Sequence, residues 1–161
     1  LIERALAAVP VEKLTAVCVV TQYDKAETLA KRFGFRCLRN DRPQDGLSRT
    51  VRLGTEALER ECGAILYMVA DQPLLLRASV ARLLDFYAAH PEHIVGAAHD
   101  GKRGNPCVFP RKYFPELRAL TGDVGGSAVI RAHEDDLRLF EVSEEELTDV
   151  DTREALEKLK G

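Results

Sequence analysis

Residues 64–70, Ala-Ile-Leu-Tyr-Met-Val-Ala, form an unbroken apolar run with helix-type spacing on either side of it. A run this short reads as a strand buried on both faces, and such strands occur in sheets covered by helices on both sides. The rest of the chain repeats the alternation. Ile2, Ala5, Leu6 and Val9 share a helical face that Pro10 ends. A β-branched run follows at 16–20, closing with Thr21 and Gln22. Asp24 with Glu27 marks a helix start and Gly34 its stop, before a short strand at 35–38. Leu47, Val51, Gly54 and Leu58 keep helical spacing ahead of the apolar run; Val80, Leu83, Leu84 and Tyr87 keep it behind. A strand at 94–98 comes next. Residues 100–126 are rich in Gly and Pro, with a candidate strand at 107–110. The pattern returns with a strand at 137–142 and a closing helix at 152–160. This order predicts one α/β domain over residues 1–161, with a mostly parallel sheet and an irregular segment inserted in its C-terminal half.

Composition excludes several function classes. With 161 residues, 45% hydrophobic and 30% charged, the chain can bury an ordinary core without cross-links. No apolar run approaches the roughly 20 residues that span a bilayer. A net charge of −3 is the wrong sign for a nucleic-acid footprint, and the absence of Trp leaves few stacking platforms. Cys18, Cys37, Cys62 and Cys107 are widely spaced, with no Cys-x-x-Cys pair to signal zinc or a disulfide framework. A reduced, cytoplasmic protein is the expectation. The chain opens at Leu1 directly in a helical pattern, which suggests that further residues precede it.

Candidate chemistry clusters where an open α/β sheet binds its ligands, beyond the carboxyl ends of the strands. Asp71 follows the buried run at such an end. It can hold a hard cation such as Mg²⁺, or cap the turn at Gln72-Pro73. The stretch Asp45-Gly46-Leu47-Ser48-Arg49-Thr50 opens a helix, where backbone N–H groups suit an anion and Asp45 or Ser48 equally suits a cap. It is not a Walker loop, since no Gly-Lys-Ser/Thr follows. Gly101-Lys102-Arg103-Gly104-Asn105-Pro106 reads as a phosphate clamp or as a hairpin turn. Gly122-Asp123-Val124-Gly125-Gly126-Ser127 implies tight turns or close approach of a ligand. Asp149-Val150-Asp151 precedes the last helix, and Asp151 with Glu154 spells a capping box. His90, His93, His99 and His133 are scattered and read as surface residues. No covalent nucleophile is signalled.

Taken in order, Gly46-Leu47-Ser48-Arg49-Thr50-Val51 with Gly54, Asp71-Gln72-Pro73, Arg103-Gly104-Asn105-Pro106, Gly122-Asp123-Val124-Gly125 and Asp149-Val150-Asp151-Thr152 resemble the MobA-like nucleotidyltransferases. Within that family the motifs look most like those of the molybdenum-cofactor cytidylyltransferases. The resemblance implies a Rossmann-like three-layer α/β/α fold that moves CMP from CTP to the terminal phosphate of a molybdopterin-type cofactor, releasing pyrophosphate. It implies Mg²⁺ on Asp71 and Asp151, and nucleotide contacts from Gly46, Ser48, Thr50, Asp71 and Gln72. Gly104, Asn105 and Asp123 would border the acceptor, and a molybdenum hydroxylase apoenzyme would be a partner. The family's opening strand and Gly-rich triphosphate loop have no counterpart in residues 1–161, and Ser127 stands where the family commonly carries a basic residue.

Two other readings remain open. One is guanylyl transfer to the same cofactor, or cytidylyl or uridylyl transfer to another small phosphate. The other is a non-catalytic accessory protein that carries the cofactor to a hydroxylase. A signalling receiver domain fits poorly, because no acidic cluster follows the first strand.

Overall fold

The computed structural model describes residues 1–160, with the side chains at 153, 159 and 160 left out of the description. Helix α1 (Ile2–Ala7) leads through a short 3₁₀ turn to strand β1 (Cys18–Thr21). Helix α2 (Asp24–Arg32) then crosses to β2 (Arg36–Arg39), which pairs with β1 in parallel from Cys18 opposite Arg36 to Thr21 opposite Arg39. Gly34 ends α2 as its position predicts. At φ +77° it lets its own N–H reach the Lys31 carbonyl and the Phe35 N–H reach that of Ala30, closing the last turn. The helix starts at Asp24 as expected, although not through a side-chain cap. Asp24 is the first helical residue and its carboxylate pairs with Arg39 instead of capping.

Helix α3 (Leu47–Leu58), β3 (Ala64–Tyr67), α4 (Arg77–Ala89) and β4 (Ile94–His99) continue the alternation. After them come β5 (Lys102–Pro110), α5 (Phe114–Arg118), α6 (Gly126–Ala132), β6 (Leu137–Glu141) and α7 (Arg153–Lys160). Four of these strands form a second sheet in the order β3-β5-β4-β6.

The α/β layering is as expected, but the sheet is mixed where a mostly parallel one was predicted. β1 with β2 and β4 with β6 are parallel, whereas β5 runs antiparallel to both β3 and β4. The cause is Asp100-Gly101, which takes positive φ at both residues (+49° and +79°) and reverses the chain within two residues. A strand begun that way must lie antiparallel to the one it left. Residues 102–106 therefore sit on a strand, and the segment read as irregular contains β5 and α5. The apolar run of 64–70 pairs only as far as Tyr67 opposite Cys107. The next partner is Pro106, which has no N–H to give to a ladder.

Side chains alternate across this sheet with the period of two that strands impose. Ile65, Ile94, Cys107 and Phe109 pack on one face against Tyr113, Phe114, Leu117, Val129 and Ile130. Val95, Ala97 and Val108 pack on the other against Leu83 of α4 and Val142. The two sheets are separate. β1 and β3 each have one unpaired edge, and residues 16–20 and 64–70 line a single cavity of about 820 Å³ between them. No helix among the described residues is long and apolar enough to cross a membrane.

Candidate active site

Asp71 lies just beyond β3, where the run of apolar residues gives out. Its Oδ1 atom is buried without a hydrogen-bond partner. Burial raises the carboxyl above the usual carboxylate range, and the neighbouring Asp149 and, more weakly, Asp151 raise it further. Asp71's own carbonyl accepts a 2.6 Å hydrogen bond from Val150 N–H, and Val150 is buried, so the last acidic segment is fastened beside the strand end. The fold thus brings Asp149 and Asp151 near enough for their charges to be felt at Asp71, although the three carboxylates do not converge within 4.8 Å of one another. A desolvated oxygen aimed at no donor, with two more carboxylates nearby, fits a divalent cation bound partly by water and phosphate oxygens.

Gln72, expected to face the nucleotide, is buried, and its amide is committed to the backbone. Nε2 donates to the carbonyls of Asn105 (2.7 Å) and Glu146 (3.2 Å), and Oε1 accepts from Asn105 N–H at 3.3 Å. Asn105, whose peptide bond to Pro106 is cis, is thereby locked to the residue that follows Asp71. Gly104 lies under Leu147, where an added Cβ would meet Leu147 Cδ2 at 3.0 Å.

Gly46, Ser48 and Asp123 meet at the start of α3. Gly46 has φ +89° and ψ 179°, and an added Cβ would lie 2.5 Å from the Gly122 carbonyl oxygen. Ser48 N–H donates to that same oxygen at 3.2 Å, and Leu47 N–H donates to Asp123 Oδ1 at 3.1 Å. Asp123 therefore caps α3 through Oδ1. Thr50 is held by Asn40 Nδ2 at 3.1 Å and lines the cavity.

Among the described residues the side-chain cap on the first turn of α7 comes from Thr152 and not from Asp151. Thr152 Oγ1 accepts from Ala155 N–H at 3.0 Å, which leaves Asp151 exposed and free of that duty. The capping box lies earlier, at Ser143 and Glu146. The Glu146 carboxylate accepts from Ser143 N–H at 3.0 Å, and Ser143 Oγ accepts from Glu146 N–H at 3.4 Å. Glu146, buried, also receives Leu76 N–H at the head of α4. Sequence reasoning missed Glu146 and Asn40. The Ser-x-x-Glu spelling at 143–146 was a usable signal for the first, whereas Asn40 carried none. The histidines are not bare surface groups: His93 meets Asp136 at 2.7 Å and His133 meets Glu116 at 2.9 Å. His99, Asp100 and Glu141 stand close enough for a metal, but His99 Nδ1 is turned to the Val142 carbonyl.

Known proteins bear on this arrangement in three ways. A phosphoenolpyruvate guanylyltransferase of Mycolicibacterium gilvum (strain PYR-GCK) is 31% identical over 102 residues, covering 62% of this chain and 48% of that protein. The chain thus spans about half the length of this curated relative. Among solved structures, a nucleotidyl transferase from Methanothermobacter superposes with a TM-score of 0.77 at 20% identity, covering 98% of this chain and 77% of that one. A Mycobacterium tuberculosis H37Rv protein solved in complex with manganese gives 0.70 at 20% identity, covering 96% and 84%. At such identities these two structures establish the fold alone. The family model for MobA-like NTP transferase domains matches residues 1–137, so the chain belongs to that family.

Proposed function

We propose that this chain is a Mg²⁺-dependent nucleotidyltransferase domain that moves CMP from CTP to the terminal phosphate of a molybdopterin-type cofactor. The single observation behind the reading is the Asp71 Oδ1 atom, buried without a hydrogen-bond partner in a half-buried side chain whose carboxyl is raised by Asp149 and Asp151. In the reaction an acceptor phosphate oxygen attacks the α-phosphorus, the bond from that phosphorus to the bridging oxygen breaks, and pyrophosphate leaves with the electron pair. No protein nucleophile is required, in keeping with a site built from carboxylates and backbone groups. Asp71 and Asp151 would hold the cation, with Asp149 adjacent; when bound, the cation neutralises phosphate charge. Gly46, Ser48 and Thr50 would run along the nucleotide. Gln72 would act by fixing Asn105, which with Gly104 would border the acceptor.

The cytidylyl branch is supported by the spelling of Asp71-Gln72-Pro73 and Asp149-Val150-Asp151-Thr152. The guanylyl reading is favoured by one observation, the likeness to a guanylyltransferase. Melting curves with Mg²⁺ and each nucleotide decide between them, because a ligand at about 100 times its dissociation constant adds about 2.7 kcal/mol. A larger shift with CTP than with GTP is expected. A larger shift with GTP would overturn the cytidylyl assignment, and no shift with either would overturn the reading itself.

A further inference from the structure

Arg103 is a cation without a counter-charge. Its stem crosses Gly96, where an added Cβ would meet Arg103 Cδ at 3.1 Å and Cγ at 3.2 Å. A side chain at 96 would press on the arginine stem and make it shift. At the far end Nη1 donates to the Gly104 carbonyl at 3.2 Å and to the Cys107 sulfur at 3.4 Å, and Nη2 donates to Ser127 Oγ at 2.9 Å. All three acceptors are uncharged, and no ion pair among the described residues involves Arg103. Arg36, Arg39, Arg49, Arg77 and Arg118 each face a carboxylate. A guanidinium has five N–H donors and keeps its charge at any ordinary pH. Three bonds leave Nε–H and one Nη2 proton available.

The surroundings say what can use them. Cys107 and Ser127, the two side chains that hold the guanidinium, line the cavity, and Arg103 lies directly behind them. Two residues along β5, Asn105 is clamped to Gln72, which adjoins Asp71. A group held at Arg103 is therefore tied to the framework that positions the carboxylates. Ser127 occupies the place where the resemblance leads one to expect a basic side chain, and here it is a hydroxyl that steadies an arginine from another element.

We propose that Arg103, positioned by Ser127 and given passage by Gly96, receives the phosphate group of the acceptor. This deepens the nucleotidyl-transfer reading and rests on it: the acceptor is a phosphate monoester, bound through the two remaining donors of one guanidinium. Lys102, exposed on the same strand, is not needed. A planar fork matches a phosphate better than an ammonium does, so lysine is a poor substitute at this position.

The test is a titration of the chain with inorganic phosphate, read by calorimetry and by the side-chain ¹⁵N signals of arginine, with acetate as the control anion. Phosphate should perturb one guanidinium and bind at least tenfold more weakly to Arg103→Met. Arg103→Lys should recover only part of the loss, and Ser127→Ala should weaken binding a few-fold. Binding of magnesium CTP should be unchanged in all three variants, which shows that each is folded. Equal phosphate binding by wild type and Arg103→Met, or equal binding of acetate and phosphate, would overturn the proposal. Phosphate binding lost in Arg103→Met, in a chain that shows no response to magnesium nucleotides, would instead retain the phosphate site and remove the nucleotidyl-transfer reading.

Discussion

Val150 N–H donates a 2.6 Å hydrogen bond to the carbonyl oxygen of Asp71, joining the end of β3 to a segment far along the chain. That backbone contact holds the segment of Asp149 and Asp151 beside Asp71, where their charges raise its carboxyl. It acts through the main chain, so substitutions of the carboxylates leave it in place, and their effects report on charge alone.

Asp71→Asn should separate chemistry from stability. The amide keeps the size of the side chain and removes the charge, so nucleotidyl transfer is expected to fall by at least about 100-fold. Stability without metal should rise, because a buried carboxylate repelled by Asp149 and Asp151 is replaced by a neutral group. Asp151→Asn should lose less activity, since Asp151 is exposed and Asp149 lies close. Single-turnover transfer and melting in EDTA check both; wild-type transfer by Asp71→Asn would remove the metal assignment.

Gly46→Ala is expected to detach the Gly122 turn from α3. The residue sits at φ +89° and ψ 179°, a region open essentially to glycine, and the new methyl would run into backbone rather than a movable side chain. The strain is about 1–3 kcal/mol. A lower melting temperature with faster proteolysis near Gly122 is the expected result. An unchanged Tm would show that the two segments separate freely.

Gln72→Leu keeps the bulk and deletes three hydrogen bonds, leaving buried backbone groups of Asn105 and Glu146 without partners. A loss of about 1–3 kcal/mol is expected. If Gln72 serves the acceptor side only through Asn105, the KM for the acceptor should rise more than the KM for the nucleotide. Equal rises would point to direct contact with both.

Asp136 supplies a pH dependence remote from the site. Burial alone would raise its carboxyl, but hydrogen bonds from Tyr113, His93 and Lys112 outweigh burial and hold it at about 2, below the usual 3.8. A depressed folded-state value means that the stabilisation is complete above the unfolded value and is lost as pH falls toward 2. Asp136→Asn should therefore lower Tm at pH 7 by an amount worth about 1–2 kcal/mol, with the difference shrinking between pH 4 and pH 2. A difference that stays constant across that range would contradict the assignment.

The sequence read well where local physics decides the outcome. Gly34 ends α2 through its positive φ, and the period-two burial of Ile94 and Val95 follows from an apolar run that must be covered on both faces. It read poorly where a distant partner decides. The apolar run at 64–70 stops pairing at Tyr67 because of Pro106, forty residues away in the ladder's other strand and silent in any local window. Asp123 read as part of a ligand loop, with no local sign of the cap that its Oδ1 gives to the distant α3. Asp151 and Glu154 spelled a capping box that Thr152 makes unnecessary, whereas Ser143 and Glu146 spelled one that forms. Two equal spellings had different fates because Glu146 is also anchored by Leu76 N–H, a contact between remote segments.

The unpaired edges of β1 and β3 govern how the molecule opens. β4 is hydrogen-bonded on both sides, by β5 and β6, and its residues from Ile94 to Ala98 are buried. Its amides can meet solvent only when the whole sheet comes apart. Across the cavity, β1 has β2 alone, with α3 bridging toward the rest, so the first strand pair can loosen while the four-stranded sheet holds. Deuterium labelling should therefore divide the chain in two, with β1 and β2 exchanging through a low-energy opening and β4 and β5 through the global one. The boundary between fast and slow amides would run along the cavity rather than around the surface of the protein.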